Sequence, residues 1–573
     1  MKSELLMPAG SLEKMKTAIL YGADAVYCGT PDLSLRTKAR LTLEQLVEGI
    51  EFAHSRNKKV YLTLNLFSHN KDIGKLNTMI DTIKKAKPDG VIIADPGVFQ
   101  LVKERAPELE LHISTQANVC SYLTVDYWKK QGAKLVVLAR EVSFGELTEI
   151  REKCPDIKLE AFIHGAMCMT YSGRCLLSNY LAERGANQGN CAQSCRWNYK
   201  IHLKLKDGTI KELNLTDENK DLFEFLLEED FRPGEFMPIE ESHRGSYILN
   251  AKDLCLMPKL DDYLKLGIDS LKVEGRNKTA YYAAIVTRSY RMAIDDWNQD
   301  PQNWDHKNYM QELYTLQNRG FSLAFHDDRL THHAHNYDST KSVSHYEYAG
   351  FIRDWEKDDI IFEIKNRIES GDLIELISPL LKDPIRLRLQ EFKDSNTGEV
   401  TTCVSAGQNK AIRINKNLFE SIDQTKIQEF LPALTVARKV KKITLNPQRL
   451  EEDKASFLSE INQTKCCNSS ESSKSGESCA KPAQVETKKC CNSGNSCSSG
   501  ESSKSGESCA KPAQVETKKP KMGVDACCGR GCNGCLIFWH DSKFKKQREL
   551  IKTKKLGEIL SKSQSKSESE EVK

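Results

Sequence analysis

Apolar positions in the N-terminal half of the chain alternate between two periods. Short runs read as strands: ELLMPA, DAVYCG, KVYLTLNLF, GVIIADPG, ELHISTQANV, LVVLAREV, KLEAFIHGAMC and DSLKVEGR. Between them lie segments with apolar residues every three to four positions, such as SLEKMKTAILYG, TLEQLVEGIEFAHSRN, GELTEIREK and PKLDDYLKLG, which read as amphipathic helices. Eight strands alternating with helices predict an α/β fold with a parallel sheet and right-handed crossovers. Eight such units close naturally into a TIM-like (β/α) barrel, with an open doubly wound sheet as the alternative. Asn65, Asp95, Gln116, Asn118, Arg140, Glu141, His164 and Glu274 fall at the C-terminal ends of these strands, the face of a barrel that carries chemistry. Together they outline a polar pocket; singly, each is better explained by a loop hydrogen bond or a helix cap.

After the helix TAYYAAIVTRSYRMAIDDW the rhythm breaks into a polar connection containing His332, His333 and His335, which read as solvated loop histidines rather than metal ligands. Strand-like runs then resume, GFIRDW, IIFEIKNRI, GDLIELISP, IRLRLQEF, EVTTCVSA and KAIRINKNL, separated by Gly, Asp and Pro signals. They predict a small antiparallel, barrel-like β-domain. Beyond about residue 445 Ser, Lys, Glu and Gly dominate, and ESSKSGESCAKPAQVETKK occurs at both 471–489 and 501–519. A repeat this poor in apolar residues cannot bury a core and reads as a disordered linker. The pattern divides the chain into a barrel at 1–300, a connection at 301–347, a β-domain at 348–440, a linker at 441–524 and a Cys-rich motif with a basic helical tail at 525–573.

Composition narrows the chemistry. The 84 basic and 80 acidic residues nearly cancel, so any contact with nucleic acid must come from a local patch. The start of the chain lacks the pattern of an export signal and no long apolar run follows, which predicts a cytoplasmic protein with no membrane segment. Twenty cysteines in such a chain point to metal or cluster ligation rather than to disulfides. In the tail, Cys527, Cys528, Cys532 and Cys535 crowd a glycine-rich turn, resemble a short oxidoreductase-like cysteine motif, and are candidates for a second zinc or iron–sulfur site, with a redox-labile or metal-scavenging tail as the alternative.

The strongest signal is EAFIHGAMCMTYSGRCLLSNYLAERGANQGNCAQSCRW, at the end of the seventh strand. Six residues separate Cys168 from Cys175, fifteen separate Cys175 from Cys191, and three separate Cys191 from Cys195, in a loop holding Gly165, Gly173, Gly185 and Gly189. Thiolates ligate both zinc and iron–sulfur clusters, and glycines let backbone N–H groups approach cluster sulfides. Only Cys191–Cys195 has the knuckle spacing of structural zinc, so the loose remainder suits a cluster better.

The run from Glu160 to Ser178 resembles the signature of the collagenase-like peptidase family U32, and LNAKDLCLMPKL with GIDSLKVEGRNK resembles that family's second shared stretch. The likeness covers roughly residues 1–440 and leaves out the repeats and tail. The resemblance implies a 4Fe–4S cluster and an oxygen-independent hydroxylation of tRNA, forming 5-hydroxyuridine at the wobble position with prephenate as co-substrate. It also implies contact with iron–sulfur assembly proteins. By position, Cys168, Cys175 and Cys191 match motif cysteines, and the fourth ligand is either Cys255 or Cys195. Hydroxylation of another substrate such as ribosomal RNA, a U32-type peptidase, and a non-enzymatic cluster carrier are the other readings. No G-x-S-x-G elbow or H-E-x-x-H helix appears, and His164, close to Cys168, offers the candidate Cys–His pairing a peptidase needs. His164, Glu160 and Arg140 are the candidate catalytic residues. Arg174, Arg196, Lys272 and Arg276, with Arg140, would meet phosphate or carboxylate groups, while Tyr171 and Trp197 would stack on a base or else cover the cysteine loop.

Overall fold

The computed structural model describes residues 3–29, 41–66, 68–168, 170–182, 191–196, 251–327, 334, 344–407, 410–419, 422–441 and 447–468, with short strand segments between 202 and 247. The chain divides into two compact units, Met1–Ser475 and Gly476–Lys573, and the described residues all belong to the first.

Seven strands, β1 (Glu4–Pro8), β2 (Ala25–Gly29), β3 (Lys59–Leu64), β4 (Gly90–Ile93), β5 (Glu110–Ile113), β6 (Leu135–Val137) and β7 (Lys158–Ala166), run parallel in chain order. A further strand, β9 (Ser270–Val273), pairs with both β1 and β7 and closes an eight-stranded parallel barrel. These are the eight runs the hydrophobic pattern predicts. Helices α1 (Leu12–Leu20), α2 (Leu43–His54), α3 (Ile73–Ala86), α4 (Pro96–Arg105), α5 (Tyr122–Gln131) and α6 (Phe144–Lys153) form the crossovers, and the short α7 (Leu177–Ala182) follows β7. Their starts follow from local chemistry: Thr42 and Ser143 each form a capping box with Gln45 and Glu146 three residues on.

The strand alternation sorts side chains into two shells. Leu5, Met7, Val26 and Val60 face outward into the large core beneath the helices, whereas Leu6, Ala25, Tyr27, Tyr61 and Ile92 form a separate cluster inside the barrel. Charged residues join them there, and the interior polarity sets up the site described below.

The strand β8 (Asp253–Cys255) runs antiparallel along the end of β7, placing Cys255 opposite His164, and carries β10 (Phe321–Ser322) on its far side. Between them lie α8 (Leu260–Lys265), the long α9 (Ala280–Gln299) and α10 (Lys307–Leu313), so the region expected to be a polar connection contains a helix and a strand.

The C-terminal region forms an antiparallel half-barrel. Its order is β14 (Ile385–Arg388), β13 (Leu373–Ile377), β18 (Val436–Val440), β11 (Tyr346–Glu356), β12 (Asp359–Ile364), β17 (Ala411–Asn415), β15 (Phe392–Asp394) and β16 (Val400–Thr401). The hydrophobic pattern passes over β18 because Arg438 and Lys439 interrupt it. Both are buried and paired, Arg438 with Glu375 and Glu312, Lys439 with Asp372. The half-barrel packs on the (β/α) barrel through Tyr21, whose hydroxyl donates to Ile377 O and accepts from Val436 N.

One expectation needs correction. The stretch after residue 441 does not begin as a disordered linker: Pro447–Asn468 forms helix α11. Leu450, Phe457 and Ile461 bury one stripe of it, with Phe457 against Phe321 and Glu460 accepting from Ser322 Oγ and Leu323 N. A single apolar stripe is diluted when composition is averaged over the Ser- and Lys-rich region. No helix among the described residues is long and apolar enough to cross a membrane.

Candidate functional site at the barrel mouth

Two guanidinium groups dominate the C-terminal end of the barrel. Arg140, just beyond β6, donates through Nη1 to Ala166 O at 3.2 Å and through Nη2 to Glu274 Oε2 at 3.4 Å, and lies 4.2 Å over the Phe162 ring. Arg276, beyond β9, donates to Thr63 Oγ1 at 3.0 Å and sits 5.4 Å from the Tyr27 ring, while its buried Nε has no partner. Tyr27 links the two, since its hydroxyl donates to Val273 O and lies 3.4 Å from Glu274 Oε2. Asn65 donates to Ser114 Oγ at 3.0 Å, and Gln116 Oε1, Asn118 Oδ1 and Glu141 Oε2 are buried without a hydrogen-bond partner. Burial pushes the Glu141 carboxyl up from the ordinary carboxylate range. Buried donors and acceptors left open around two arginines suit a ligand bearing anionic oxygens and hydrogen-bonding edges. Asp95 belongs elsewhere: it caps α4, accepting from Gly97 N and Val98 N.

Below this layer the barrel is closed by its own charges. Glu160 accepts from Lys272 Nζ and Ser270 Oγ, both at 2.7 Å, and Lys272 lies 4.4 Å over Tyr27. Both partners are buried. Glu160 and Lys272 are therefore engaged with each other rather than open to a substrate.

His164 is also enclosed. Its ring lies among Tyr282, Tyr290 and Phe321, with Nδ1 3.4 Å from the Tyr290 hydroxyl. Burial lowers its pKa to about 3, so the imidazole is neutral near pH 7. The same Tyr290 hydroxyl lies 4.0 Å from Cys255 Sγ. The thiol next to His164 is thus the equally buried Cys255 rather than Cys168, and burial pushes that thiol up to about 12.

The cysteine loop lies over the β5 side of the mouth. A strained turn starts it: Gly165 has φ of +118°, and a Cβ there would sit 2.4 Å from Glu274 O, so only glycine fits. Gly173 rests on the Gln116 side chain, and the Tyr171 hydroxyl lies beside the Cys120 thiol. Cys168 and Cys191 are exposed, Cys175 and Cys195 partly so, and Arg174 is exposed. Ala192 N donates to Ser178 Oγ, and Gln193 N donates to Cys191 Sγ at 3.3 Å, the kind of N–H···S contact that stabilises a ligating thiolate.

The donor set therefore has the right chemistry for a cluster, but the geometry is not assembled. Among the described residues no three His, Cys, Asp or Glu side chains gather as a metal site, and Cys255 sits in apolar packing with its Sγ 3.7 Å from Met310 Sδ. The Arg196 side chain, Trp197, His332, His333, His335 and the tail cysteines Cys527, Cys528, Cys532 and Cys535 lie outside the described residues.

Tyr27, Thr63 and Ser114 escape the motif reading, although each belongs to the mouth. The signal was present as strand period: Tyr27 is two residues from inward-facing Ala25, and Thr63 two from Tyr61.

Comparison with known proteins places this geometry in a family. Residues 10–336 match the model described as Peptidase family U32, and residues 344–422 match Peptidase family U32 C-terminal domain. The chain is 39% identical to tRNA hydroxylation protein P of Escherichia coli (strain K12) over 401 residues, 66% of this chain and 86% of the relative. It is 34% identical to tRNA hydroxylation protein P1 of Bacillus subtilis (strain 168) over 424 residues, 73% of this chain and 94% of the relative. Identity to the 23S rRNA 5-hydroxycytidine C2501 synthase of Escherichia coli (strain K12) is 31% over 292 residues, 51% of this chain and 39% of the relative. The match of both domains and the coverage of these relatives lead to one conclusion: the chain belongs to peptidase family U32.

Proposed function

We propose that this protein hydroxylates RNA, and specifically that it forms 5-hydroxyuridine at the wobble position of tRNA in the cytoplasm, using a 4Fe–4S cluster and prephenate. The observation that carries the reading is the extent of likeness to relatives named for tRNA hydroxylation, 86% and 94% of whose lengths the chain covers. The barrel mouth supports it: Arg140 and Arg276 present guanidinium groups to carboxylate or phosphate oxygens, and Gln116 and Asn118 leave buried acceptors for a base edge. Cys168, Cys175 and Cys191 would hold the cluster, with Cys195 or Cys255 as fourth ligand. Bound there, such a cluster supplies one-electron redox chemistry. The residues of the mouth orient the substrates, and the loop above them excludes water. Iron–sulfur assembly proteins are the partners this reading requires.

The peptidase reading finds less support, because His164 has no exposed thiol beside it and is held neutral among aromatic rings. Mass spectrometry of tRNA nucleosides from a strain lacking the gene tests substrate and reaction together. Loss of 5-hydroxyuridine is expected; an unchanged nucleoside profile would sink the proposal. Anaerobically purified protein should be brown, with about four irons per chain if the cluster is of the 4Fe–4S type. That colour should be lost in Cys168→Ser or Cys175→Ser, whereas a colourless protein with stoichiometric zinc would overturn the cluster assignment.

A further inference from the structure

The cysteine loop carries an unusual surface. Among the described residues twelve large apolar or aromatic side chains are exposed, and four of them, Tyr171, Leu176, Tyr180 and Leu181, fall within residues 171–181. Tyr180 is 69% exposed and Leu176 76%. Scattered exposed leucines need no explanation, but a concentration in one short stretch marks an interaction surface. This stretch is anchored over the mouth. The seat of Gly173 on Gln116, with Tyr171 beside Cys120, holds it above the end of β5, and the buried Ser178 takes the N–H of Ala192. The exposed groups are thus continuous with the candidate site, and Arg174 among them adds positive charge.

The inference rests on the RNA reading above. Chemistry at C5 of a pyrimidine deep in a barrel mouth requires the nucleotide to leave its stack, and the bases on either side lose their neighbours when it does. Exposed aromatic faces replace those neighbours in proteins that bind single strands, and they do so with little regard to sequence. We propose that Tyr180 and Tyr171, flanked by Leu176, form a stacking platform for the unpaired bases that flank the target nucleotide of a single-stranded RNA loop. Tyr171, whose hydroxyl end lies beside Cys120, remains 46% exposed. Duplex RNA, whose bases stack on each other, has no exposed face to offer this surface.

The test uses full-length protein and two probes: a synthetic tRNA anticodon stem–loop, and the same strand annealed to its complement. Fluorescence anisotropy should show that Tyr180→Ala binds the stem–loop on the order of 10-fold more weakly, with duplex binding unchanged, while Tyr180→Phe, which keeps the ring, binds as the parent does. Because Tyr180 is exposed, the thermal midpoint of each variant should match the parent. Equal stem–loop affinity of parent and Tyr180→Ala, or equal losses on both probes, would overturn the platform while leaving the RNA reading intact. A parent protein that binds neither probe and leaves tRNA unmodified would overturn both.

Discussion

Two ion pairs border the Phe162 ring, with Arg140 4.2 Å and Lys272 5.6 Å from its centre, and they differ in the respect that separates scaffold from site. Lys272 and Glu160 meet at 2.7 Å inside the barrel, with side chains 5% and 0% exposed and Ser270 completing the carboxylate's bonds. Arg140 and Glu274 meet at 3.4 Å at the mouth, 8% and 24% exposed, with Arg140 also bound to a backbone carbonyl. The lower pair is short, shielded from water and needed to neutralise charge that the fold has already buried. The upper pair is longer and borders solvent, so an incoming anion can compete for Arg140 at modest cost. A charge inside a barrel is part of the framework when its partner is equally buried, and part of a site when its partner can be exchanged.

Breaking the lower pair is expected to have the largest effect. Glu160→Ala leaves the Lys272 ammonium buried without its partner, and urea unfolding should show a loss of roughly 3–5 kcal/mol. A loss below about 1 kcal/mol would mean that Lys272 finds another partner or reaches water. In the upper pair, Arg140→Lys keeps the charge but loses the planar fork that joins Ala166 O, Glu274 and the Phe162 face. Turnover of RNA should fall about 10- to 100-fold with little change in unfolding free energy. A parallel loss of stability would place Arg140 with the framework.

The opposite end of the barrel gives a pH test. Burial, opposed by Lys59, raises the Glu4 carboxyl to about 7, so the folded protein holds that proton where the unfolded chain has released it. Its contribution is fully present below the unfolded pKa near 4.5 and declines as pH rises through 7, by at most about 1.4 kcal/mol per pH unit. Glu4→Gln should flatten that slope in denaturation curves taken across the range; an unaltered slope would assign it to other groups. The smallest effect is expected at Asp95, a helix cap rather than a pocket residue. Asp95→Ala should cost about 1 kcal/mol of stability and leave turnover unchanged.

Much of this is legible in the amino-acid sequence. The eight barrel strands follow from runs such as KVYLTLNLF and GVIIADPG, because a parallel strand buried on both faces is predominantly apolar. The thiol-rich loop after β7 is equally plain in spacing. Charge or averaging hides a buried stripe elsewhere: β18 carries Arg438 and Lys439 paired within the fold, and α11 holds Leu450, Phe457 and Ile461 beside a Ser- and Lys-rich stretch.

The sequence by itself determined the class of the fold, the place of the cysteine loop on its chemical face, and the family, since all three depend on local period and motif. Only tertiary structure decided which polar residues belong to the mouth. Glu160, His164 and Arg140 look alike in a motif, yet strand alternation and the turn at Gly165 send Glu160 to an internal ion pair, His164 among three aromatic rings, and Arg140 to the open end beside Glu274. The reason is physical. Availability depends on what else the fold brings within hydrogen-bond reach, and at the mouth those partners lie as far as 247 residues away along the chain.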